Sequence, residues 1–109
     1  MQIDWDRLNA LRDDIGEEDF ADVAIVFISE IGEKLAELTA QPAAASADDF
    51  HFLRGSAVNL GLAALAEACT RAECACTAGE PPDLPAVAAE FEAALAALAP
   101  VVPGAARAA

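Results

Sequence analysis

Hydrophobic positions along this chain recur at intervals of three and four residues, the period of an amphipathic helix, in five successive segments. Around Asp4 to Asp14, the apolar residues Trp5, Leu8, Leu11 and Ile15 step by three, three and four, and Gly16 then breaks the pattern. From about Glu17 to Leu38 a second stripe runs through Phe20, Val23, Ala24, Phe27, Ile31, Leu35 and Leu38. Glu17, Glu18 and Asp19 stand in its first turn, where the helix dipole favours negative charge. Val23 to Ile28 taken alone has the look of a buried strand. The longer period, continuing in amphipathic form through Lys34, decides for a helix.

The run Gln41-Pro42-Ala43-Ala44-Ala45 reads as a loop, and Ser46 followed three residues later by Asp49 is the signature of a capping box opening a third helix. Phe50, Leu53, Ala57 and Leu60 form its inward stripe, while His51, Arg54, Gly55 and Val58 fall on another side. His51 lies one residue, hence about 100°, from that stripe, which predicts exposure. Gly61 leaves little room before a fourth helix carrying Leu62, Leu65, Cys69, Ala72 and Cys76, so the turn there is tight or the two helices are nearly continuous. Gly79-Glu80-Pro81-Pro82 ends it. Asp83 caps a fifth helix that tolerates Pro85 in its first turn and has Leu84, Val87, Ala88, Phe91, Leu95 and Leu98 as its stripe. The expected fold is therefore all-α: an antiparallel up-down four-helix bundle with a short extra N-terminal helix as a lid. The expected domain spans residues 1–100, followed by a flexible Ala/Pro-rich tail over 101–109.

Composition sharpens the class. Of 109 residues, 56% are hydrophobic, much of that alanine, with no Tyr and one Trp, so helix formers dominate and strand formers are scarce. The 19 acidic against 6 basic residues give a formal charge of -13, a field that repels a phosphate backbone and an anionic membrane. Nucleic acid and membrane are thus excluded as expected partners. Cys69, Cys74 and Cys76, an odd number within one helical segment, do not read as a disulfide framework. No apolar run has membrane-spanning length, and the acidic start Met1-Gln2-Ile3-Asp4-Trp5-Asp6 is unlike a signal peptide, so a soluble cytoplasmic protein is expected.

The candidate chemistry centres on the single histidine. Arg54 and Gly55 stand three and four positions beyond His51 and share its helix face. An imidazole beside a cation, with a side-chain-free gap next to it, suits a histidine that accepts an anionic group from a bulky partner. Near pH 7 a neutral imidazole nitrogen is a competent nucleophile. A mid-helix glycine costs about 1 kcal/mol against alanine, so Gly55 needs a reason, and access to the histidine is one. This pattern points to a phosphoryl carrier rather than to an enzyme with a substrate pocket.

The run His51-Phe52-Leu53-Arg54-Gly55-Ser56-Ala57-Val58-Asn59-Leu60-Gly61, followed by Leu65, Cys69 and Glu73, resembles histidine phosphotransfer (HPt) domains of bacterial multistep phosphorelays. Members typically show His-x-Leu-Lys-Gly-Ser-Ala-x-x-Leu-Gly and then a Leu-rich helix with Cys and Glu. Arg54 departs from the usual lysine: the charge is kept, but on a planar fork. The resemblance implies that His51 accepts a phosphoryl group, at Nε2, from a phosphoaspartate of a receiver domain or from a kinase module such as a hybrid sensor histidine kinase. It then passes the group to a response-regulator aspartate. Arg54 would offset charge on the phosphoryl oxygens, and Gly55 would let the receiver close over the ring. No cofactor is expected on this chain, Mg2+ being expected on the receiver, and no autonomous catalytic activity. A monomer is favoured.

Phe52, Val58 and Asn59 are candidate partner-binding residues, Phe52 and Val58 being equally readable as core. Asn59 also suits a tie from the helix end to a neighbour, and Ser56 a bond back to the helix backbone. Two other classes compete with the carrier: a phosphorylation-independent adaptor using the same face, and a metal or redox module built on the cysteines. Cys-x4-Cys-x-Cys on one helix places its sulfurs poorly for a tetrahedral site, so packing is the better account of them and no metal is expected.

Overall fold

A computed structural model describes residues 1–108; Ala109, the last residue of the expected tail, lies outside the described residues. The elements are α1 (Trp5–Ile15), α2 (Glu17–Ala40), a 3-10 turn (Pro42–Ala44), α3 (Ala47–Asn59), α4 (Ala63–Thr77), α5 (Leu84–Leu98) and α6 (Ala105–Ala108), with no strand among the described residues. Each boundary has a local cause. Asp4 caps α1 by accepting from the Arg7 amide, and Gly16 at φ +87° turns the chain into α2. At the start of α3 the capping box forms as expected: Asp49 Oδ2 accepts from the Ser46 amide at 2.9 Å and from Ser46 Oγ at 3.1 Å. Asp83 accepts from the Ala86 amide to open α5.

The core is continuous. α3 packs most extensively on α4, and α4 on α5, while α2 touches α3, α5, α6 and α1. Phe50, Leu53, Ala57 and Leu60 are fully buried, so all four members of the α3 stripe face inward. In α2 the buried line is Phe20, Ala24, Ile28, Ile31, Leu35 and Leu38, with Val23 and Phe27 only half-buried. Ile28 completes the four-four-three-four-three path from Phe20, whereas Val23 and Phe27 both lie to one side of it.

Two expectations at the chain ends are corrected. Trp5 is exposed, and Ile3, the residue before the extended cap Asp4, takes the inward place in the same buried cluster as Leu8, the positions of a hydrophobic staple. The segment expected to fray is packed instead. Val102 and Ala105 are buried, α6 lies against α2, and Ser29 Oγ donates to the Ala108 carbonyl at 3.2 Å. Pro100 and Pro103 bracket a turn that folds the chain back onto α2 rather than releasing it.

α1 is fastened to the junction between α3 and α4. The Asp4 amide donates to the Gly61 carbonyl at 2.7 Å, and Gly61 adopts φ +73°. A Cβ at Gly61 would stand 2.6 Å from the Asp4 carbonyl oxygen, so close approach and left-handed backbone both require glycine there.

Candidate functional site

The inward stripe of α3 fixes which residues point out. His51 follows buried Phe50 by one position and its side chain is 62% exposed. One turn on, Arg54 returns towards it, and Nη2 stands 2.9 Å from His51 Nδ1. α4 contributes the third member: one carboxylate oxygen of Glu73 lies 3.5 Å from His51 Nδ1 and the other 3.8 Å from Arg54 Nε. All the polar neighbours of the ring thus gather at Nδ1. No hydrogen bond from the described residues reaches Nε2.

Arg54 spans the boundary between solvent and core. Among the described residues its Nε is the buried side-chain polar atom that has no hydrogen-bond partner, the 3.8 Å separation from Glu73 being too long for one. Cys69 of α4 is buried within reach of both charges: its thiol is pushed up to about 11, first by burial, with the Arg54 charge pulling the other way and the Glu73 charge adding to the rise. Gly55 faces open space: a Cβ built there meets nothing within 4 Å. No side chain fills the space beside Gly55.

Phe52 and Val58, equally readable as core from sequence, are 39% and 49% exposed. Lys34 of α2 sits 5.7 Å from the centroid of the Phe52 ring and donates to Asp49 Oδ1 at 3.3 Å. Burial pushes the Asp49 carboxyl up, but hydrogen bonds from the Ser46 amide, Lys34 and Ser46 Oγ outweigh it and hold the carboxyl below its ordinary value. Asn59 Oδ1 accepts from Arg7 Nη2 at 3.3 Å, so this side chain ties the end of α3 to α1. Ser56 is buried.

His51, Arg54 and Gly55 are therefore brought together as the spacing required. Glu73 is the member to which sequence reasoning gave no role. The signal was its place four residues after Cys69 on the face of α4 that Leu65 begins, and what it touches depends on how α3 and α4 pack. Cys69 is buried, Cys76 half-buried and Cys74 exposed, all as free thiols. No group of three or more His, Cys, Asp or Glu among the described residues is placed to hold a metal ion. Nor is any helix among them long and apolar enough to cross a membrane.

The model of one protein family, described as Hpt domain, matches residues 6–100. No curated protein and no solved structure matches the chain.

Proposed function

The chain belongs to the Hpt domain family, and we propose on that premise that His51 is its phosphoacceptor, taking the group at Nε2 and surrendering it to a receiver aspartate. Hpt domains are phosphocarrier modules rather than catalysts, and they work with receiver domains and kinases in phosphorelays. The observation that carries the assignment is the exposed imidazole whose Nδ1 is surrounded by Arg54 and Glu73 while Nε2 is left to the outside.

The chemistry follows from that arrangement. The Nε2 lone pair attacks phosphorus, the N–P bond forms, and the bridging O–P bond of the phosphoaspartate breaks with its electron pair remaining on the aspartate carboxylate. The positive charge generated on the ring rests on Nδ1–H, opposite the Glu73 carboxylate. Arg54 offsets charge on the phosphoryl oxygens, and Gly55 admits the loops of a receiver. Transfer onward to a second receiver is the same step reversed. The divalent metal of such a transfer, Mg2+, belongs to the receiver, and this chain brings no cofactor. Exposed Phe52 and Val58 supply apolar contact for the partner. Short connections between successive helices support an antiparallel up-down arrangement of α2 to α5, and the formal charge of -13 fits a chain that works as a monomer in the cytoplasm.

A phosphorylated receiver incubated with the chain tests the reading. Wild type gains an acid-labile, base-stable phosphoryl group, and His51→Gln, folded to the same extent by circular dichroism, gains none. Labelling of His51→Gln overturns the assignment. Binding of the receiver by both proteins with label on neither would identify a phosphorylation-independent adaptor instead.

A further inference from the structure

The contacts at His51 Nδ1 ask for opposite protonation states. A guanidinium carries donors only and stays protonated, so Arg54 Nη2, at 2.9 Å, requires a lone pair on Nδ1. A neutral ring with a lone pair on Nδ1 carries its hydrogen on Nε2, and that nitrogen then has no lone pair with which to attack. The Glu73 carboxylate is an acceptor only and requires a hydrogen on the same Nδ1. Its oxygen stands 3.5 Å away, at the edge of hydrogen-bonding range, so the arginine contact decides the resting state. The arginine is itself poorly satisfied there, since its buried Nε has no hydrogen-bond partner.

We propose that Arg54 is a tautomer latch. In the resting chain it holds His51 as the unreactive Nε2–H form, and an arriving anionic phosphoryl group draws the guanidinium off Nδ1. One proton then moves from Nε2 to Nδ1 through water, with no net gain or loss. Glu73 accepts the new Nδ1–H, and the Nε2 lone pair is free to form the N–P bond. Arg54 and Glu73 act on the resting ring as positioning residues, and Arg54 changes from restraint to charge partner at the moment of docking. The inference rests on His51 being the phosphoacceptor. It adds that a carrier without a partner is held back from reacting with small electrophiles, and that the anionic donor itself releases the restraint.

Long-range nitrogen NMR of the imidazole tests it, because protonated and unprotonated ring nitrogens have well-separated shifts. In mildly alkaline solution, wild type is expected to show an unprotonated Nδ1 and a protonated Nε2. Arg54→Ala is expected to exchange the two assignments, with Glu73 holding the Nδ1 proton, and adding Glu73→Ala to Arg54→Ala removes that preference. Arg54→Lys, also a pure donor, keeps the wild-type pattern. A wild-type spectrum with the proton on Nδ1, or an Arg54→Ala spectrum like wild type, overturns the latch. Phosphorylation of the same samples by phosphoramidate, followed by phosphorus NMR, separates the two proposals. Phosphohistidine on a wild-type chain whose resting ring is already Nδ1–H sinks the latch and leaves the carrier standing, whereas no phosphohistidine from phosphoramidate or phospho-receiver sinks the carrier.

Discussion

Gly55 offers a test in which stability and function move in opposite directions. It lies inside α3, where glycine costs about 0.8–1.0 kcal/mol relative to alanine. Nothing lies within 4 Å of the position its Cβ would take, so no packing term opposes adding a side chain. Gly55→Ala is therefore expected to stabilise the folded chain by about 1 kcal/mol, raising Tm by roughly 4 °C for a domain of this size. A docked receiver, by contrast, would meet the new atoms. Overlap of a longer side chain with a close-packed surface costs about 1–3 kcal/mol, which is roughly a 5- to 150-fold loss in rate. Gly55→Gln should accordingly lower transfer from a phospho-receiver by that factor relative to phosphorylation by phosphoramidate, a donor small enough to pass the obstruction. Thermal denaturation and a paired transfer assay read both quantities on the same samples. If Gly55→Ala is destabilising, or Gly55→Gln accepts from the receiver as fast as wild type, the glycine is not there to admit a partner.

Three further expectations follow from the packing and the charges. Gly61→Ala combines left-handed backbone, about 1–2 kcal/mol, with a Cβ 2.6 Å from the Asp4 carbonyl oxygen, so urea denaturation should show a loss of about 2–4 kcal/mol; a change below about 0.5 kcal/mol would contradict the tight seam. Asp49 has a folded-state value below its ordinary one, so its contribution is present at neutral pH and fades as pH falls through the low carboxylate range; Asp49→Ala should cost about 1 kcal/mol near pH 7, a gap that narrows in acid. Cys69 is buried with its thiol raised to about 11 while Cys74 is exposed, so iodoacetamide at mildly alkaline pH should modify Cys74 first, and Cys69 only on unfolding, as read by mass spectrometry.

The α3 half of the site was legible because it is local. Three residues at spacings of three and four share a face on any helix, and the inward line from Phe50 to Leu60 settled which way that face points. Glu73 could not be read in the same manner. It meets His51 across two helices, and the register between α3 and α4 depends on buried Leu53, Leu65 and Cys69 finding one another. Phe52 and Val58 were ambiguous for a related reason: an apolar side chain beside a stripe is core or surface according to what the next helix covers. At the chain ends, prolines read as breakers hid a fold-back that only the burial of Val102 reveals. Ile3 was overlooked because it precedes its helix, and its partner Leu8 lies a full turn inside it.

α3 is held like a shaft clamped at both ends. At one end Asp49 joins the cap to Lys34 of the neighbouring helix; at the other, Asn59 takes a bond from Arg7 and the Gly61 carbonyl takes one from Asp4. None of these hydrogen bonds uses the exposed side chain of Val58, whereas Phe52 lies beneath the Lys34 ammonium that holds Asp49. Substitution of Val58, whose side chain takes no part in these ties, is therefore expected to leave the shaft where it is, and the ring of His51 to keep its height and bearing.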